Sequence, residues 1–66
     1  MPHVQITLLD GRTTEQKRKV AKRITELLGE EIGAPPEAVS ISFVEVTKDC
    51  FARGGVLVSD KDKAAK

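Results

Sequence analysis

The chain has 66 residues, of which 39% are hydrophobic, and a formal net charge of +1. Near-neutral charge gives no general attraction to nucleic acid or to a membrane surface, and no apolar run approaches the roughly 20 residues that cross a bilayer. The single Cys50 excludes an intrachain disulfide, and one Cys with one His does not make a structural zinc site, so we expect a reduced, cytoplasmic protein.

The first predicted element is a strand from His3 to Leu9. Its side chains alternate, with Val4, Ile6 and Leu8 on one side and polar residues on the other. This alternation predicts a strand with one buried face. The following Asp10-Gly11 pair is typical of a turn and ends the strand.

A helix is predicted next. Thr13 and Gln16 stand at the spacing of a capping box, which marks the start of a helix. Gly33 suits the left-handed residue that follows a helix, and Pro35-Pro36 cannot continue one. Apolar residues recur between these signals at helical spacing: Val20, Ile24, Leu27, Leu28 and Ile32.

The second predicted strand runs from Val39 to Val46, and neither of its faces is strongly polar. A strand that is apolar on both faces indicates a sheet covered on both sides. The single helix covers only one of them, so the second cover must come from another subunit. A helical crossover between two strands also predicts parallel pairing.

The C-terminal part is predicted to hold a loop over Lys48–Gly55, a tight turn at Gly54-Gly55 and a short strand over Val56–Val58. Residues 60–66 are charged and are expected to form a flexible tail. The whole chain, 1–66, is therefore one α/β domain. It is a β-α-β unit with parallel strands, a C-terminal short hairpin strand and a sheet completed by dimerisation.

Size strengthens the expectation of assembly. A domain near 60 residues buries only about 60% of the surface of its unfolded chain, and such domains commonly depend on disulfides, metals or oligomerisation. With the first two excluded, oligomerisation is the remaining support.

The start of the chain, Met1-Pro2, is a candidate catalytic feature. Removal of Met1 would expose a proline secondary amine, a group that no internal proline offers. An α-amino group titrates near 7.7–8.0, and burial or a nearby cation lowers that value, so such an amine can act as a general base. The alternative is that Pro2 only stiffens a frayed terminus.

The chain resembles the 4-oxalocrotonate tautomerase family of the tautomerase superfamily. The resemblance runs from Met1-Pro2 to about Ser59. Five segments carry it: Pro2 itself, Leu8–Arg12 at the end of the first strand, Thr14–Lys17 at the start of the helix, Gly33–Pro35 after it, and Phe51–Gly55 before the last strand.

The resemblance implies a cytoplasmic homohexamer, a trimer of dimers, that uses no cofactor or metal and acts on a small carboxylate substrate such as 2-hydroxymuconate, in the degradation of aromatic compounds. It implies that Pro2 is the catalytic base, that Arg12 binds a substrate carboxylate and that Phe51 walls the site. It also implies that the backbone amide of Leu9 belongs to the same pocket. The expected partners are further copies of the chain, not nucleic acid or a membrane.

Ser40 departs from the family, because well-known members have an arginine there that contacts the far carboxylate and the 2-hydroxyl. Serine replaces neither its charge nor its bidentate fork. Arg53 is a candidate to supply the missing charge, although it is equally well read as a surface residue. His3 and Cys50 are interpreted as an ordinary surface histidine and an unreactive cysteine.

Two alternative functions remain. One is a hydratase or dehalogenase of the same superfamily, a branch that activates water with a glutamate at the position of Arg53. The other is a non-catalytic assembly module in which Pro2 is incidental. Retention of Met1 would favour the second.

Overall fold

A computed structural model describes residues 1–64, with side-chain burial described up to Lys61. Two strands are joined by a long helix, and a small hairpin and a second helix follow. The elements are β1 (His3–Leu9), α1 (Thr14–Ile32), a 3₁₀ turn (Pro36–Ala38), β2 (Ser40–Val46), a second 3₁₀ turn (Lys48–Cys50), β3 (Ala52–Arg53), β4 (Val56–Leu57) and α2 (Val58–Ala64).

Strands β1 and β2 pair in parallel, as predicted, in a register that runs from His3 opposite Ser40 to Leu9 opposite Val46. Helix α1 crosses over one face of this sheet. The Lys17 Nζ lies 2.8 Å from Glu45 Oε1, which ties the helix to β2 and shows which face it covers. The other face carries His3, Ser40 and Ser42 and has no helix in the described residues.

The ends of α1 follow local sequence signals. The Gln16 N–H donates to Thr13 Oγ1 at 3.1 Å, and the Thr13 N–H donates to Gln16 Oε1 at 2.9 Å, so the predicted capping box is formed. Gly33 is left-handed (φ 71°), and its N–H donates to the Gly29 carbonyl at 3.2 Å. Both signals satisfy backbone groups that a helix end otherwise leaves unpaired.

The C-terminal region differs from the sequence prediction in two places. The predicted loop contains strand β3, which pairs antiparallel with β4 around Gly54 and Gly55, both at positive φ. The short strand ends at Leu57 instead of Val58. Val58 closes the hairpin, since its N–H donates to the Phe51 carbonyl at 2.9 Å, and it also begins α2.

The expected tail over 60–66 is therefore helical as far as Ala64, and its last two residues lie outside the described residues. The sequence did not predict a helix here because the segment has no apolar periodicity. Lys and Ala nevertheless favour helices, and Asp60 in the first turn suits the positive end of the helix dipole.

A single chain does not enclose its apolar surface. No side chain is fully buried among the residues whose burial is described, and Leu27 and Ile32 on α1 are 52% and 64% exposed. The accessible surface is 5151 Å², against about 4,100 Å² for a compact protein of this mass. The radius of gyration is 15.7 Å, against about 11 Å for a compact chain of this length. A single chain therefore leaves much of its apolar surface in contact with solvent.

Within the described residues, neither helix combines the length and the apolar composition that crossing a membrane requires.

Candidate active site

The carboxyl end of β1 borders a cleft of about 210 Å³ on the face of the sheet that α1 leaves open. The 3₁₀ turn after β2 and the β3–β4 hairpin bring aromatic and cationic side chains to this end of the strand. Its lining residues are Thr7, Leu8, Leu9, Val46, Phe51 and Arg53. Three of the predicted site residues, Leu9, Phe51 and Arg53, therefore meet here.

A second cleft of about 380 Å³ adjoins the first and shares Leu8 and Leu9 with it. Gly11, at φ 112°, turns the chain sharply after β1 and places Arg12 on this cleft, with Lys48 also on its rim. Leu9 lines both clefts, the first together with Phe51 and the second together with Arg12. The pair of clefts offers apolar walls and the cationic residues Arg12, Lys48 and Arg53, and Asp10 also lines the second cleft.

Phe51 and Arg53 lie close to each other. The Cζ of Arg53 is 6.0 Å from the centroid of the Phe51 ring, at the outer limit of a cation–π contact. Phe51 is half-buried and Arg53 is exposed. The arginine therefore lines the cleft with its side chain exposed to solvent.

An acidic group stands close to Phe51 in the chain. The Thr47 hydroxyl donates to Asp49 Oδ1, and this hydrogen bond lowers the pKa of Asp49 below its ordinary value. Asp49 is consequently ionised at neutral pH and is not available as an acid there. Cys50, the next residue, is free and exposed.

The amino end of β1 holds a different group of residues. The Ser40 N–H donates to the Pro2 carbonyl at 3.1 Å, so Pro2 continues the pairing of β1 with β2. The Nδ1 of His3 lies 2.7 Å from Ser40 Oγ, and its Nε2 lies 3.2 Å from Ser42 Oγ. His3 is exposed, as expected from its position, but sequence reasoning missed the two hydrogen bonds.

Pro2 itself is half-buried, and the Met1 that precedes it is 98% exposed. Met1 is therefore accessible for removal. Removal would leave the Pro2 amine at a defined position, because the hydrogen bond from Ser40 holds the proline carbonyl.

One chain does not bring all the predicted residues together. Pro2 and Leu9 are seven residues apart on an extended strand, which is roughly 23 Å. Pro2 and Ser40 therefore lie at one end of the sheet, and Leu9, Arg12, Phe51 and Arg53 at the other. A site that contains both groups requires a second copy of the chain.

In the part of the chain that the structure describes, no three residues among His, Cys, Asp and Glu are grouped so that they could hold a metal ion.

Comparison with known proteins gives one consistent result. The family model described as tautomerase enzyme matches residues 2–61. A probable tautomerase from Bacillus cereus is 41% identical over 61 residues, covering 92% of this chain and all of that protein. The 2-hydroxymuconate tautomerase of Bacillus subtilis is 39% identical over 62 residues, covering 94% and 100%.

Solved structures agree with this result. A 4-oxalocrotonate tautomerase isozyme from Methylibium petroleiphilum superposes with a TM-score of 0.91 at 33% identity, over 96% of this chain and 98% of that one. A heterohexameric 4-oxalocrotonate tautomerase from Chloroflexus aurantiacus gives 0.84 at 28%, over 91% and 97%. A structure studied for trans-3-chloroacrylic acid dehalogenase activity gives 0.76 at 27%, over 85% and 97%.

Proposed function

The chain belongs to the tautomerase family, and on that premise we propose that it is an isomerase of small unsaturated 2-hydroxy and 2-keto acids. The reaction moves a proton between the enol and keto forms of a substrate like 2-hydroxymuconate. The observation that carries the proposal is the family match over residues 2–61, which begins at Pro2, together with a relative named for 2-hydroxymuconate.

Pro2 is the proposed base. Once Met1 is removed, its neutral secondary amine takes the proton from the enol hydroxyl, and the electrons of that O–H bond become the new carbonyl. The resulting ammonium then returns the proton to a conjugated carbon of the dienolate. One proton leaves oxygen and one arrives on carbon, so the amine is regenerated and no cofactor is consumed.

Arg12 is the proposed carboxylate anchor, and its charge also stabilises the dienolate as it forms. Phe51 and Leu9 provide an apolar wall that keeps water from the reacting atoms, which strengthens these charge interactions. Arg53, at the mouth of the same cleft, is proposed to assist in binding a second carboxylate. Ser40, beside Pro2, borders the opposite side of the substrate.

Assembly is part of this proposal, because Pro2 and Arg12 lie beyond opposite ends of strand β1 within one chain. In the described residues the sheet has the order β1-β2, so the outer edge of β1 has no partner strand. Antiparallel pairing of β1 with the β1 of a second copy would bring the Pro2 end of one strand beside the Leu9 end of the other. The base and the carboxylate anchor would then come from different subunits.

The apolar surface of α1 supports this pairing. A groove of about 160 Å³ runs between β1 and the start of α1, past Ile6, Leu8 and Val20. Val20 is 40% exposed, and the more exposed Leu27 follows two turns later, so the second copy of α1 has an apolar stripe to pack against. The open face of the sheet, with Val44 39% exposed, is then available for packing three such dimers into a homohexamer.

A dehalogenase of the same superfamily is the second candidate, because one similar structure was studied for that activity. By the family resemblance, Arg53 stands at the position of the glutamate that activates water in that branch. An arginine cannot accept a proton from water near neutral pH, and this departure favours the tautomerase.

The test is to compare two forms of the same chain. Mass measurement identifies protein with and without Met1, and each form is assayed for ketonisation of 2-hydroxymuconate. We expect turnover only from the form that begins at Pro2. Equal turnover by the Met1-retaining form would refute a free proline base and leave a non-catalytic module or another mechanism.

A further inference from the structure

We propose that the ion pair between Lys17 and Glu45 keeps Glu45 from binding Arg12, so that the Arg12 guanidinium stays available for a substrate carboxylate. This inference deepens the proposed function and rests on it, because it takes Arg12 as the carboxylate anchor. Lys17 and Glu45 are positioning residues, since they act through Arg12 and do not contact the substrate.

Glu45 stands near Arg12 because the carboxyl ends of the two strands are joined. The Asp10 N–H donates to the Val46 carbonyl at 2.9 Å. This bond attaches the chain just before Arg12 to the residue that follows Glu45. Glu45 is also the register partner of Leu8, and Leu8 lines the groove of about 160 Å³ between β1 and α1. The end of β2 that carries Glu45 therefore lies beside this groove.

Lys17 approaches the same groove from helix α1. Its N–H donates to the Thr13 carbonyl at 3.1 Å, so Lys17 follows Arg12 by little more than one helical turn. Lys17 and Arg12 both line the groove. The Lys17 Nζ lies 2.8 Å from Glu45 Oε1. Two cations thus share one groove, and the carboxylate beside them is paired with Lys17.

The charge of Arg12 has no partner in the described part of the chain. No side-chain hydrogen bond or ion pair there involves its guanidinium. Two carboxylates are near enough in the fold to compete for it. Asp10 lines the second cleft together with Arg12 and Lys48, and Glu45 is the carboxylate that Lys17 binds. If Lys17 released Glu45, a substrate would have to displace Glu45 from Arg12 before binding there.

Partial burial strengthens the ion pair that prevents this competition. The Lys17 side chain is 24% exposed and that of Glu45 is 38% exposed, so solvent and salt screen the pair less than they screen a pair on the open surface. Loss of the lysine charge would leave a partly buried carboxylate without a cation, which is unfavourable. Arg12 is the remaining cation that lines the same groove.

The first experiment measures kcat and KM of the full, processed chain with 2-hydroxymuconate and with phenylenolpyruvate. Lys17→Met removes the charge and keeps an unbranched apolar side chain in the groove. We expect KM for both substrates to rise about fivefold, because Glu45 then competes for Arg12. The value of kcat should stay unchanged, since bound substrate has already displaced Glu45. Lys22→Met, the same change at an exposed position of α1, is the matched control and should leave KM unchanged.

Variants of Glu45 distinguish this role from a structural one. Glu45→Gln breaks the ion pair but also removes the competing charge, so KM should be no higher than in the wild type. The double variant K17M/E45Q should return KM to the wild-type value. An ion pair that only held the helix in place would raise KM in either single variant, and the double variant would not recover. Glu45→Gln alone tests the proposal even if Lys17→Met does not fold.

A third comparison tests whether Lys17 acts through Arg12. In a chain that already carries Arg12→Ala, adding Lys17→Met should cause no further rise in KM. A second fivefold rise there would show that the lysine charge acts on the substrate directly, and it would overturn the proposal.

A crystal structure of the Lys17→Met variant gives a readout that does not depend on turnover. We expect the Arg12 guanidinium within 4 Å of the Glu45 carboxylate, in the place that the lysine ammonium occupies in the wild type. An unchanged KM in Lys17→Met, or a raised KM in Glu45→Gln, would overturn this inference and leave an active, Pro2-dependent enzyme. Full activity with a blocked Pro2 amine would overturn the proposed function, whereas the crystal structure would still show whether Glu45 binds Arg12.

Discussion

The backbone N–H of Ser40 donates to the carbonyl of Pro2 at 3.1 Å, which attaches the second residue of the chain to strand β2. Chain termini are commonly disordered unless a strand or helix holds them. Here the bond uses only backbone atoms, so it survives any substitution at position 2 that keeps the residue extended. A substitution at position 2 can therefore change the chemistry of the terminal nitrogen without changing its position.

This separation defines the first prediction. Pro2→Ala replaces the secondary amine by a primary amine while the hydrogen bond from Ser40 remains. We expect kcat for 2-hydroxymuconate to fall about 100-fold, within the range that a positioned general base contributes. Circular dichroism and sedimentation should match those of the wild type, and a loss of less than threefold would argue against Pro2 as the base.

The sequence predicted the parts of the fold that depend on neighbouring residues. The Thr13 capping box and the left-handed Gly33 are local signals, and both are confirmed. Strand β3 was missed because two residues, Ala52 and Arg53, carry no alternation and acquire a partner only through the turn at Gly54-Gly55.

The candidate site was predictable to a similar extent. The family resemblance identified Leu9, Arg12, Phe51 and Arg53, and the structure places all four on adjoining clefts. The contacts of His3 with two serines depend on the register between β1 and β2. Their sequence separations are 37 and 39 residues, so no local pattern reveals them.

The second prediction concerns assembly. Leu27 is 52% exposed on the apolar stripe of α1, and Leu27→Glu would place a charge where we propose that a second α1 packs. Wild-type protein should sediment as one species several-fold heavier than the monomer at micromolar concentration, and the variant should dissociate to lighter species.

Lys22→Glu on the same helix is the control for the charge change. This variant should sediment like the wild-type protein. Activity should fall together with assembly, because Pro2 and Arg12 are proposed to come from different subunits. A folded, fully active monomer would contradict both proposals.

The third prediction tests the carboxylate anchor. Arg12→Ala should raise KM for 2-hydroxymuconate and for phenylenolpyruvate alike, by about one to two powers of ten, since both carry the carboxylate that Arg12 binds and a charged hydrogen bond is worth about 1.5–3 kcal/mol. Arg18→Ala is the matched control, because Arg18 pairs with Glu15 on the surface of α1. Equal KM values for the Arg12 and Arg18 variants would show that Arg12 does not bind the substrate carboxylate.

The fourth prediction concerns the second carboxylate and the substitution Ser40→Arg. A guanidinium supplies a permanent charge and two parallel donors, whereas a serine hydroxyl supplies one donor and no charge. We expect kcat/KM for 2-hydroxymuconate to rise about tenfold, with little change for phenylenolpyruvate.

Arg53→Ala completes this test, since Arg53 is the other cation proposed near that carboxylate. Its side chain is exposed, and an exposed ion pair is worth about 1 kcal/mol or less, so we expect the dicarboxylate-to-monocarboxylate ratio to fall by no more than about fivefold. Adding Ser40→Arg to this variant should restore the ratio, because the new guanidinium replaces the lost charge. If neither substitution alters the ratio, the number of cations does not determine substrate choice, and the shape of the apolar walls at Leu9 and Phe51 does.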